Sequence, residues 1–274
     1  MACIQINYFK RWRTYQQVIL LCIALIGPSL IWTAQATQSQ KLPLLIRELR
    51  NERGEIVPIK DDIRQLILFF EREANVNFQV EYFPMARLLN HVNNGYGIAF
   101  GLSKNSERLQ TMQFSDFIYA NFVWLVTSSK QEFQFEKIDD LKGKTVGVIR
   151  GVSYGDEFDS NKNRLFKVEE DTASHVARLK KLAMQRMDVM LFGARESDPR
   201  EVESLLRHMQ NTDKSHVLNT EESKFTVLAK PLRVDELHFA AGLHKHDAII
   251  KRLNVAIMRG KKNGEISRIL NKPK

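Results

Sequence analysis

The chain has 274 residues, 43% hydrophobic and 27% charged, with a formal net charge of +9. A chain of this length can be held by its core alone, and it shows no internal repeat and no low-complexity linker. Its two cysteines, Cys3 and Cys22, exclude a disulfide scaffold.

Residues 1–36 read as a secretory signal. Lys10, Arg11 and Arg13 form a basic start, and no acid precedes Glu48. Val18 to Ile31 is an apolar run broken by Gly27-Pro28, and Ala34-Gln35-Ala36 gives a small-x-small cleavage pattern. The run is about 15 residues, short for a span that needs ~20. Leu21 before Cys22 is too bulky for lipid attachment at that cysteine. Cleavage after Ala36 is expected, leaving a cysteine-free, periplasmic chain starting at Thr37 with net charge +6. That excess is spread along the chain and reads first as a solvated surface, secondarily as a bias toward anionic partners.

Apolar strands and amphipathic helices then alternate. Leu42–Leu49 is a first strand. A helix starts at Asp61-Asp62, with Ile63, Leu66, Ile67, Phe70 and Ala74 on one face. Val76, Phe78, Val80 and Tyr82 alternate as a strand. Pro84 opens a helix with Met85, Leu88, Leu89 and Val92 inward. Strands follow at Ile98–Phe100, Phe122–Thr127 and Thr145–Ile149, then one ending at Phe192, and a helix over Pro199–Met209. Val227–Lys230 and Phe239–Leu243 are further strands, and Ala248–Met258 and Gly264–Leu270 are the closing helices. This alternation predicts an α/β fold with a mainly parallel sheet covered by helices.

The stretch from Ile98 to Trp124, IAFGLSKNSERLQTMQFSDFIYANFVW, carries the functional signal. Arg108 lies in a polar turn after an apolar strand, where its planar fork suits a carboxylate. The plainer alternative is a surface arginine that caps or pairs.

This segment resembles the signature of the bacterial extracellular solute-binding proteins of family 3, which bind polar amino acids and related solutes. Ser103, Glu107, Arg108, Phe114, Ser115, Asp116 and Tyr119 match that signature. Its usual Thr before Glu-Arg is absent, and Phe117-Ile118 stand in place of its Pro. The run DLKGKTVGVIRG (140–151) resembles the opening of that family's second lobe, and QRMDVMLF (185–192) resembles its G-R-x-D-A strand, in which Asp188 is structural. The resemblance covers residues 41–272. It implies a two-lobed periplasmic-binding-protein-like fold of type II, with a cleft between lobes that close by hinge motion. Lobe one would be 37–127 with 233–274, and lobe two 128–232. The crossings are expected near Val126–Ser129 and within Ala229–Glu236.

Carried over by position, Arg108 would hold a solute carboxylate, assisted by Gly101, Ser103, Gly151 and Ser153. The family's ammonium-binding Asp falls on Gly193, so either Glu48 or Glu196 replaces it or the solute is not an α-amino acid. The aromatic contact after the first strand is also missing, and Arg47-Glu48-Leu49-Arg50 stands there. Tyr82-Phe83-Pro84-Met85-Ala86-Arg87 resembles a pattern in some proteobacterial members. Phe83 either flanks the cleft or packs in the core, and Arg87 is expected on a solvated helix face.

The implied function is periplasmic capture of a small polar or anionic solute for an ABC-type importer or a sensor. The alternative is an enzyme on the same fold, similar to the cyclohexadienyl or arogenate dehydratases, which would need a cleft carboxylate such as Glu48. A third reading keeps the N-terminal segment as a membrane anchor for a sensory domain. A monomer is expected, with no cofactor and no nucleic-acid partner. His244-x-His246 is too close-spaced and isolated for a metal site, and His208 and His216 have no partner motif.

Overall fold

The computed structural model describes residues 41–271, apart from 52, 172–173, 213–217 and 219–223. The signal segment, both cysteines and His216 therefore lie outside the described residues. Among the described residues no helix is long and apolar enough to cross a membrane.

One twisted sheet path runs through the fold in the order β2-β1-β3-β10-β5-β8-β6-β7. The first half contains β1 (Leu42–Arg47), β2 (Phe78–Phe83) and β3 (Ile98–Leu102), all parallel. The second contains β6 (Thr145–Ile149), β7 (Lys167–Asp171) and β8 (Val189–Ala194), also parallel. Two long strands join the halves: β5 (Tyr119–Ser128) and β10 (Arg233–Gly242). They pair antiparallel over Tyr119–Val123 and Leu237–Arg233. Short β4 (Met112–Phe114) and β9 (Phe225–Val227) hang on β10 and β5. The sheet is therefore mixed, because the crossing strands add antiparallel pairs to two parallel halves. Val126 and Thr127 of β5 pair with Met190 and Val189 of β8.

Helices cover both faces of each half. In the first, α1 (Asp61–Ala74) buries Leu66, Ile67, Phe69 and Phe70, as its 3.6-residue period predicts. It ends where Asn75 turns left-handed at φ 47°. It shares a core with α7 (Asp247–Lys262) and α8 (Glu265–Leu270). On the other face α2 (Met85–Asn93) packs Met85, Leu88 and Val92 against Leu45 and Ala240. Gly97 is needed where β3 begins, because a Cβ there would stand 2.4 Å from the Pro43 carbonyl oxygen.

The second half is covered by α4 (Asp156–Asn161) on one face, and by α5 (His175–Ala183) and α6 (Pro199–Thr212) on the other. Asp188 ties β6 to its neighbour: its carboxylate accepts the Thr145 N–H at 2.6 Å, and its carbonyl accepts the Thr127 hydroxyl at 2.9 Å. A short α3 (Ser106–Thr111) follows β3.

Candidate functional site

The carboxyl ends of β1 and β3 face those of β6 and β8 across a cavity of about 400 Å³. Strand ends of this kind are the usual ligand positions of open α/β sheets. The crossing strands supply Tyr119, Asn121 and Asp235 to its wall. Burial pushes the Tyr119 hydroxyl up to about 12, so it stays protonated and available as a donor.

Arg108 is placed by a local cap. The Asn105 side chain accepts the Arg108 N–H at 2.8 Å and starts α3, which sets the arginine in the helix's first turn. Its side chain turns inward and the residue is 5% exposed. Nη1 donates to the Ser103 carbonyl at 2.9 Å and reaches the Ser103 hydroxyl at 3.4 Å. Among the described residues Nε and Nη2 make no protein hydrogen bond, and no carboxylate forms an ion pair with it. Burial lowers its pKa, and Asp235, Asp159 and Glu107 at longer range work against that. A guanidinium remains charged under such a shift.

Three contacts close the cleft from opposite lobes. The Asn105 amide donates to the Ser153 hydroxyl at 2.9 Å. Ser153 in turn donates to Asp159, which pairs with Lys162 at 2.6 Å. Asp156 accepts the Ser106 N–H at 3.3 Å and its hydroxyl, which hold its carboxyl below the ordinary value. At the far edge Asp62, in the first turn of α1, pairs with Arg195 beyond β8. Arg195→Ala is expected to loosen closure. Losing a partly buried pair worth about 1 kcal/mol changes the closed-to-open ratio about fivefold. Small-angle scattering should then give a larger radius of gyration for the solute-free variant than for wild type. An unchanged radius would mean the pair contributes nothing to closure.

Gly101, Ser103, Arg108 and Ser153 are brought together on this one cavity, with Gly193 opposite. Three other sequence candidates stand elsewhere. Glu48 gives both oxygens to Arg50 at 2.8 Å and lines a neighbouring recess that Arg47 also borders. Gly151 lines that same recess, where a Cβ would stand 3.6 Å from Met85. Phe83 packs on His91, ring centroids 4.7 Å apart, and Arg87 is exposed. Glu196 does line the cavity.

Several cavity residues were not singled out from sequence: Arg47, Asp62, Asn121, His175, Arg195 and Asp235. A signal existed for Arg47, which occupies the strand end where the resembled family carries an aromatic. A Cβ at Gly193 would meet the Asn121 amide nitrogen at 2.9 Å, so a side chain there would have to displace that amide. Asp235 is held by Arg233 at 2.6 Å, and burial raises its pKa against the pull of Arg233 and Arg108.

No family model matches the chain, and no curated protein does. Solved structures do match in fold. The glutamate-bound ligand-binding core of GluR0 from Nostoc punctiforme is 18% identical, with TM-score 0.62, over 84% of this chain and 98% of that one. A mutant of ArgBP from T. maritima is 17% identical, with TM-score 0.63, over 85% and 94%. The arginine-, lysine- and histidine-binding protein ArtJ from Geobacillus stearothermophilus is 15% identical, with TM-score 0.61, over 85% and 94%. The chain thus shares its two-lobed α/β fold with these ligand-binding proteins.

Proposed function

We propose that this chain is a periplasmic solute-binding protein, exported by cleavage after Ala36. It captures a small carboxylate-bearing solute between its lobes and delivers it to an ABC-type importer or a sensor. Lobe one would comprise 37–127 with 233–274 and lobe two 128–232, with β5 and β10 running between them. The observation that carries the reading is Arg108: a buried guanidinium with two donor nitrogens unused among the described residues, on a cavity also lined by Gly101, Ser103 and Ser153. Fold likeness alone does not assign a solute. The enzyme alternative gains no support from Glu48, whose carboxylate is taken up by Arg50.

With Gly193 and Asn121 where an acid would meet an α-ammonium, neutral α-amino acids are expected to bind weakly. Carboxylates without the amine should do better. A thermal-shift screen of residues 37–274 against amino acids, carboxylates and oligopeptides tests both points. A ligand at 100 times its dissociation constant stabilises by about 2.7 kcal/mol, a readable shift. Submicromolar binding of a neutral amino acid would overturn the solute class, and no shift with any compound would count against the binding role.

A further inference from the structure

Arg47 is a second guanidinium on this cavity; it also borders the neighbouring recess lined by Glu48 and Asp171, and among the described residues no carboxylate forms an ion pair with it. Arg47, at the end of β1, lines the wall shared with His175 and Tyr154. Its Nη1 is buried without a hydrogen-bond partner among the described residues. Its nearest acid in sequence, Glu48, is committed to Arg50. Burial lowers the Arg47 pKa, and the one group opposing this is a phenol, Tyr154.

The surroundings raise the positive charge further. Arg178 on α5 is 0% exposed and lies behind His175. Its Nη1 donates to the Leu191 carbonyl at 2.8 Å, and its Nη2 donates to His175 Nδ1 at 2.8 Å. A guanidinium only donates, so Nδ1 accepts and the imidazole proton sits on Nε2. His175 is held neutral by burial and by Arg178 and Arg47, which push its pKa well below the usual value. Asp171, the acid acting on Arg178, is paired with Lys181 at 2.8 Å. Arg47 and Arg178 thus repel one another in a desolvated place. A buried charge left without a partner is costly, and an anion brought by a ligand removes the cost.

The charge surroundings differ from those of Arg108, which feels Asp235, Asp159, Glu107 and Arg233. We infer that Arg47, backed by Arg178 and flanked by His175 and Tyr154, forms a second anion-binding subsite in the cleft. The solute is then a dicarboxylate, with one acid group on Arg108 and the other on Arg47. This rests on the solute-binding reading above and specifies its substrate class.

The test is calorimetry of the mature chain with α,ω-dicarboxylates of four to seven carbons and their monoamides, which keep the length but carry one charge. Wild type should bind its best diacid at least tenfold tighter than the matching monoamide. Arg47→Met should erase that preference while changing monoamide affinity less than threefold. It should also raise the thermal midpoint of the solute-free protein, since a half-buried arginine whose Nη1 has no partner among the described residues is removed; an arginine kept for structure would lower it. Equal binding of diacid and monoamide, with both lost in Arg108→Ala, would overturn the second subsite and leave the solute-binding reading standing. No binding of any member to wild type, with a positive hit elsewhere in the thermal-shift screen, would overturn the dicarboxylate alone. A preference that survives Arg47→Met would overturn the role of Arg47.

Discussion

Arg108→Ala is expected to abolish measurable carboxylate binding while leaving the fold intact. The guanidinium uses Nη1 on the Ser103 carbonyl and makes no ion pair among the described residues, so its loss strands no carboxylate. Its helix is capped through its backbone N–H by Asn105, a bond that any residue at 108 keeps. A carboxylate gripped by Nε and Nη2 gains two charge-assisted bonds of roughly 1.5–3 kcal/mol each. Losing both corresponds to at least a hundredfold in affinity. Arg108→Lys keeps the charge but not the fork, and should lose at least tenfold. Titration of wild type and both variants with the best hit of the screen, alongside their unfolding midpoints, separates the outcomes. Normal binding by Arg108→Ala would place the site elsewhere. Unfolding of that variant would make the arginine structural.

How much of this was legible in the sequence differs by element. Helix α1 was plain, because an acidic start and five apolar residues at helical spacing agree with each other. Strand β6 was plain as well, being a short apolar run between turn residues. Helix α5 carries no such signal. A fully buried Arg178 stands on its inner face beside Leu179 and Leu182, and breaks the apolar period that reveals a helix. Strand β7, with the sequence KVEED, is charged because it lies at the sheet edge. Only one half of β10 is apolar; Arg233 and Asp235, in its other half, pair with each other where the strand borders the cleft. The site divides the same way. Arg108 could be placed from local pattern and resemblance. Arg47, His175 and Asp235 meet only once two lobes and two crossing strands bring remote segments together, which no local spacing encodes.

The second large effect concerns the first lobe's core and separates fold from function in the opposite sense. Phe239→Ala is expected to cost roughly 3–5 kcal/mol, the range for removing a buried phenyl ring. Phe239 is 0% exposed and lies on β10 where the pairing with β3 shifts register. Its ring meets Phe70 edge-on at 5.0 Å and Phe100 at 5.2 Å, and stacks on Phe78 at 6.3 Å. One truncation therefore forfeits contacts with α1, β2 and β3 together. The backbone that carries Phe239 is itself held: its N–H donates to the Ser115 hydroxyl at 2.9 Å, and the Ser115 N–H donates to the Phe239 carbonyl. Phe239→Leu keeps most of the volume and should cost less than half as much. Urea titration should show a lower midpoint with an unchanged slope for a variant that loses packing alone. Since Phe239 does not line the cavity, diacid affinity measured well below that midpoint should stay within threefold of wild type. A loss under about 1 kcal/mol would mean that the rings of Phe70, Phe78 and Phe100 collapse into the gap, and that the aromatic cluster is looser than its close edge-on contacts imply.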